Sequence, residues 1–182
     1  MVGYVVVPGI GGSDDAHWQT RWEQQWGWEA VRIRPRSWSH PDLPDWVDAI
    51  ERAVKTAESR SDELALVAHS LGCWAASTWL QQADGRRLRG ALLVAPPDPE
   101  SHAFPAAAAP TFVNVVARPL PCRSVVVVST NDPYCDVRTA RGYASVWGSD
   151  VEVVGERGHI NSESALGAWA QGRELLERAV SR

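Results

Sequence analysis

The stretch Glu63-Leu-Ala-Leu-Val-Ala-His69-Ser70-Leu71-Gly72-Cys73-Trp-Ala-Ala76 decides how this chain folds. Its apolar run, Leu64 to Ala68, suits a strand buried on both faces, as in a parallel sheet covered by helices. The run stops at Ser70, and a helix-favouring segment, Cys73 to Gln82, starts almost at once. A strand turning that sharply into a helix holds its apex residue in a strained conformation, with the side chain projecting above the sheet. Small residues two positions to either side, Ala68 and Gly72, relieve the crowding. The pattern is Gly-x-Ser-x-Gly with alanine in place of the first glycine. Alone it is weak, because a serine at that point can equally be the N-cap of a core helix.

Toward the amino terminus, Tyr4 to Val7 reads as a first strand, closed by Pro8-Gly9-Ile10-Gly11-Gly12-Ser13. Met1 to Pro8 lacks the cationic flank and the core length of a signal peptide, so a strand and not a leader is expected. Trp18, Trp22 and Trp26 stand four apart within His17 to Trp26 and share one helical face, with Ser13 or Asp14 as the expected cap. Gly27 ends that helix, and Ala30 to Ile33 makes a second strand. Three prolines between Arg34 and Pro44 exclude regular structure there. A helix then runs from about Leu43, its buried stripe marked by Trp46, Val47, Ile50 and Val54.

Toward the carboxyl terminus, Gly90 to Ala95, Ser124 to Ser129 and Asp150 to Val154 read as strands four to six. Val137 to Trp147 and about Ser164 to Val180 read as helices. The proline- and alanine-rich segment from Asp98 to Pro121 is expected to pass over a pocket mouth with at most one short helix. Strand and helix alternate without repeat or linker, which predicts one α/β domain over residues 1–182. The expected architecture is a three-layer sandwich, a six-stranded parallel sheet with helices on both faces and right-handed crossovers. Sites in such sheets lie beyond the carboxyl ends of the strands. Ser70, Asp132, His159 and the Gly9 to Gly12 loop each follow such an end.

The composition, 45% apolar and 22% charged in 182 residues, is ordinary for a globular protein. A formal charge of −4 argues against a nucleic-acid partner, which needs a clustered basic surface. No apolar run approaches the ~20 residues of a membrane helix. Three cysteines (Cys73, Cys122, Cys135) make neither an even disulfide set nor a C-x-x-C pair, so a cytoplasmic location is expected. Nothing in the residues specifies an oligomeric state.

A serine hydroxyl becomes a nucleophile when a base takes its proton as it attacks, and imidazole suits that task near neutral pH. A carboxylate behind the imidazole fixes the tautomer and stabilises the imidazolium. Ser70, Asp132 and His159 supply these groups in the chain order Ser…Asp…His. The Leu71 N–H, at the start of the helix after Ser70, is one candidate oxyanion donor, and Ile10 or Gly11 of the glycine loop supplies the other. Asp136 is the alternative carboxylate, although it would open the next helix. His69 and His17 are expected to pack or to hold the loops, and His40 and His102 to lie at the surface or the pocket rim. A thiol enzyme built on Cys73 or Cys135 is disfavoured, since neither stands at an elbow. No metal-ligand spacing occurs, and the glycine loop departs from the dinucleotide fingerprint at Asp14, so no cofactor or metal is expected. The Trp18, Trp22 and Trp26 stripe reads as core. Trp38, Trp74 and Trp147 are expected to line an apolar cleft for compact acyl or aromatic groups.

Six segments together resemble the small serine hydrolases of the retinoblastoma-binding-protein-9/YdeN type. They are Val7-Pro-Gly-Ile-Gly-Gly-Ser13, His17-Trp-Gln19, Val67-Ala-His-Ser70-Leu-Gly-Cys73, Leu93-Val-Ala-Pro-Pro-Asp98, Ser129-Thr-Asn-Asp132-Pro-Tyr134 and Gly158-His159-Ile-Asn161. The resemblance spans nearly the whole chain. It implies a minimal α/β-hydrolase with strand order 2-1-3-4-5-6, lacking the first two strands of larger relatives, and a triad at Ser70, Asp132 and His159. It also implies esterase-like activity on a small-molecule ester. Two other readings stand beside it: a non-catalytic interaction module on the same scaffold, and an exopeptidase or amidase.

Overall fold

In the computed structural model, which describes residues 1–83 and 88–181, the valine-rich runs form strands with no polar face. The six strands are β1 (Val2–Val7), β2 (Ala30–Arg32), β3 (Glu63–His69), β4 (Leu88–Val94), β5 (Ser124–Val128) and β6 (Asp150–Val153). All five pairings are parallel and the spatial order is β2-β1-β3-β4-β5-β6. The period-2 alternation of side chains divides each central strand between two cores. Val5, Val7, Leu64, Leu66 and Ala68 face one layer; Val6, Ala65 and Val67 face the other.

Among the described residues five α-helices cover the two faces: α1 (Trp18–Trp26), α2 (Leu43–Glu58), α3 (Leu71–Leu80), α4 (Val137–Trp147) and α5 (Ala170–Val180). α2, α3 and α4 pack in the first core, α1 and α5 in the second. α2 starts where Asp42 accepts the Asp45 N–H at 3.2 Å, with Pro44 in its first turn, and it buries Trp46, Ala49, Ile50, Ala53 and Val54 at helical spacing.

Three expectations need correction. The cap of α1 is His17, whose Nδ1 accepts the Gln19 N–H at 3.1 Å; Asp14 instead accepts the Ala16 and His17 N–H groups in the preceding turn. The last helix begins at Ala170, because Ala165, Gly167 and Trp169 take left-handed φ values of 50°, 60° and 41°. That break lets Trp169 pack edge-on against Trp18, at 5.0 Å between ring centres. The segment from Asp98 to Pro121 reaches the cavity through Pro105 as expected, but its larger side chains fold onto the sandwich: Phe104, Ala109 and Phe112 join the first core, and Phe112 meets Trp46. Its one short helix is the single turn Pro110–Phe112.

Candidate active site

β3 ends at His69 and α3 begins at Leu71, which leaves Ser70 to make the whole turn. Its φ of 55° and ψ of −129° cost about 1–3 kcal/mol for a residue with a side chain. The hydroxyl caps nothing; the turn is held by the Ser70 N–H on the Val94 carbonyl and the Cys73 N–H on the Ser70 carbonyl, both 2.9 Å. The capping alternative therefore fails. The glycine loop lies against the apex, and a Cβ on Gly9 would stand 2.7 Å from Ser70 Cβ.

The structure brings Ser70, His159 and Asp132 into one hydrogen-bonded row. His159 Nε2 is 2.8 Å from Ser70 Oγ, and His159 Nδ1 is 3.0 Å from each Asp132 oxygen. An ionised carboxylate only accepts, so Nδ1 carries the ring proton and Nε2 is left to accept from the hydroxyl. Asp132 is further held by the Tyr134 N–H on Oδ1 at 2.9 Å. Asp136 lies apart from the row, capping α4 through the Thr139 N–H at 2.9 Å.

Several bonds from distant elements position the loop that carries His159. His69 Nε2 donates to the His159 carbonyl at 2.9 Å. Trp18 Nε1 donates to the Ile160 carbonyl at 2.8 Å, and Trp22 Nε1 to the Ala168 carbonyl at 2.7 Å. Asn131 Oδ1 accepts the Gly158 N–H at 2.7 Å, tying the Asp132 loop to the His159 loop. The tryptophan stripe of α1 is thus core packing and also a clamp on the loop. The sequence reading missed Tyr134, whose ring lies 4.5 Å from that of His159, and Asn131; both stood inside the quoted Ser129 to Tyr134 segment.

A cavity of about 230 Å³ opens at Ser70 and His159, walled by Gly9, Ile10, Leu71, Pro97, Pro105 and Tyr134 with His17, His69 and Asn161. Among the described residues no acceptor meets the N–H of Ile10 or of Leu71. Gly11 differs from the expectation: its N–H donates to the Trp38 carbonyl at 2.8 Å, because the Gly9 to Gly12 turn points it away from the cavity. The three tryptophans expected at the cleft are also elsewhere. Trp74 and Trp147 are each 1% exposed and pack edge-on at 5.1 Å between α3 and α4. Trp38 packs on Trp46 and under Gly12. Trp74 reaches the site only indirectly, donating from Nε1 to the Pro97 carbonyl at 2.8 Å.

Burial depresses the His17 pKa to about 4, with Arg32 and His159 pushing the same way and Asp14 opposing. Burial, helped by His159 and His17, also holds His69 well below the usual imidazole range. Both rings are therefore neutral at pH 7. An unfolded chain protonates them near pH 6.5, so it binds more protons than the native state below that pH. Stability is complete above pH 6.5 and drains away as pH falls toward 4, by about 3 kcal/mol from His17 alone. Urea unfolding at pH 7.5 and pH 4.5 is expected to show this loss, and His17→Asn to reduce it. Cys135 is not a rival nucleophile: burial, with Asp98, Asp132 and Asp136, pushes its thiol up to about 12.

The sequence profile of the serine hydrolase family matches residues 4–178. No curated protein matches the chain in sequence. Among solved structures, a YdeN-like hydrolase from Pectobacterium atrosepticum is 34% identical over 99% of this chain and 93% of its own, with a TM-score of 0.82. The ydeN gene product of Bacillus subtilis is 19% identical over 100% and 99% of the two chains, with a TM-score of 0.77. Est1E of Butyrivibrio proteoclasticus, solved with ferulic acid bound, shares the fold at 10% identity over 100% of this chain and 90% of its own (TM-score 0.74). With a family match over residues 4–178 and a relative above 30% identity over nearly its full length, the chain belongs to the serine hydrolases, as a small member of the α/β-hydrolase type.

Proposed function

We infer that the protein hydrolyses compact, uncharged carboxylic esters through an acyl-enzyme on Ser70. The observation that carries this reading is the unbroken row from Ser70 Oγ through His159 to Asp132, set at the mouth of a small cavity. Ser70 Oγ attacks the acyl carbon while His159 Nε2 takes its proton, and Asp132 stabilises the imidazolium. The Ile10 and Leu71 N–H groups take the charge that develops on the carbonyl oxygen, each worth about 3–4 kcal/mol in the transition state. His159 returns the proton to the departing alcohol oxygen. It then deprotonates the water that attacks the acyl carbon and passes that proton to Ser70 Oγ as the acyl–oxygen bond breaks and the acid leaves.

Size and charge support the substrate class. At about 230 Å³ the cavity beside Ser70 is small, which favours a compact acyl or alcohol group there. No Asp, Glu, Lys or Arg lines it among the described residues, so the charged terminus of a peptide finds no counter-ion there, which disfavours an exopeptidase. A non-catalytic scaffold has no need of the strained serine or the buried carboxylate, and both are intact. The three unpaired cysteines favour a reducing compartment such as the cytoplasm. Among the described residues no helix is long and apolar enough to cross a membrane.

The test is covalent labelling. A fluorophosphonate probe is expected to label the protein once, at Ser70, and Ser70→Ala to fold normally with no labelling and no turnover of p-nitrophenyl butyrate. Labelling that survives in Ser70→Ala would sink the assignment.

A further inference from the structure

His17 belongs to the cavity wall but takes no part in the reaction as described. Its side chain is buried, with the residue 3% exposed, beside Ser70, His69 and Asn161. Nδ1 accepts the Gln19 N–H as the cap of α1, so the proton of the neutral ring sits on Nε2. That Nε2 is buried and has no hydrogen-bond partner among the described residues. A buried donor left without an acceptor is costly, and native structures rarely keep one without a use.

The neighbours do not answer the need. His69, whose ring meets His17 edge-on at 4.8 Å, donates from Nε2 to the His159 carbonyl and keeps Nδ1 as an acceptor, but no hydrogen bond joins the two rings among the described residues. Asp14 turns its Oδ1 to the Ala16 and His17 N–H groups and to the Ser162 hydroxyl. Capping needs one acceptor atom, which Asn or Ser would provide as well. The second nitrogen of His17 is therefore surplus to the helix, and the residue that carries it lines the cavity beside Ser70.

We propose that the Nε2–H of His17 donates to a second acceptor oxygen of the substrate, distinct from the scissile carbonyl, so that the site favours esters bearing an ether, keto or further ester oxygen over their hydrocarbon isosteres. The inference rests on the ester-hydrolase reading above. The chemistry of the wall agrees with it. Pro97, Pro105 and Leu71 are apolar, no Asp, Glu, Lys or Arg lines the cavity among the described residues, and a pKa of about 4 keeps His17 a neutral donor suited to a neutral oxygen.

Two isosteric pairs test it: p-nitrophenyl butyrate against p-nitrophenyl methoxyacetate for an oxygen in the acyl part, and butyl acetate against 2-methoxyethyl acetate for one in the alcohol part. His17→Asn keeps an acceptor for the Gln19 N–H and draws the donor back, its amide N–H standing short of the place that Nε2–H occupies; His17→Ser, shorter still, is the second variant should the first fold poorly. The kcat/KM ratio of oxygen-bearing to hydrocarbon ester is expected to fall about tenfold on substitution in at least one pair, the worth of one neutral hydrogen bond. Ratios unchanged in both pairs, with all four esters turned over, overturn the role of His17 alone. No turnover of any ester and no labelling of Ser70 overturns the hydrolase reading itself.

Discussion

Asp132→Asn is expected to lower kcat on p-nitrophenyl butyrate about 10⁴-fold with KM nearly unchanged. The substitution keeps the volume and reverses one bond. Asp132 now accepts twice, from His159 Nδ1 at 3.0 Å and from the Tyr134 N–H at 2.9 Å. In the variant the amide oxygen keeps the Tyr134 bond and the NH₂ group faces Nδ1. Nδ1 must then accept, the ring proton moves to Nε2, and Nε2 donates to Ser70 Oγ where it should take a proton. A tautomer inverted in this way costs about four orders of magnitude in enzymes with such a row. KM stays because Asp132 does not line the cavity. Asp136→Asn is the matched control: Asn caps α4 equally well through the Thr139 N–H, and its activity is expected within about twofold of the parent. A fall of less than tenfold in Asp132→Asn, or a large one in Asp136→Asn, would assign the carboxylate elsewhere.

The two residues also show which signals are local in the sequence. Asp132 and Asp136 differ by position: one follows a buried strand directly and the other stands where a helix must begin, and strand ends and caps are local signals. The strands were legible for the same reason, since runs such as Val125 to Val128 have no polar face to show to water. The illegible parts depend on partners far along the chain. Gly11 and Ile10 are neighbours in one glycine loop, yet only the Gly11 N–H is taken, by a carbonyl at Trp38 that no local pattern reveals. The size of Trp74 and Trp147 predicts burial but not which wall they build, and they build the layer behind the cavity. Helix periodicity overran the start of α5 because bonds such as Trp22 to the Ala168 carbonyl, 146 residues away, hold the preceding turn open. His17 carried a capping role that histidine rarely signals, since Ser, Thr, Asp and Asn dominate that position.

Gly72→Ala is expected to be among the most destabilising single substitutions in the chain, although it adds one methyl to a helix. A Cβ there would run into the carbonyl oxygens of Val7 and Pro8, the latter at 2.5 Å. Both are backbone atoms, so no side chain can turn aside to make room. Val7 pairs with Ala68 in the sheet, and displacing it strains the pairing beside the elbow. Overpacking against a rigid backbone costs about 3 kcal/mol or more, and at about 2–4 °C per kcal/mol for a chain of this size the melting temperature should fall by about 6–12 °C. Pro8 leads directly into Gly9 and Ile10, so any shift that relieves the clash also moves the Ile10 N–H and the contact of Gly9 with Ser70, and turnover falls with stability. The same change at Gly142 in α4 meets open space and is expected to raise stability by about 0.5–1 kcal/mol through helix propensity alone. Opposite signs for the two variants in one thermal-melt series would identify backbone contact at the elbow as the cause, since both add the same methyl to a helix. Ala68, in place of the motif's first glycine, fits the same account: its methyl sits in the first core beside Val7, so that side of the elbow has room for a Cβ where Gly72 has none.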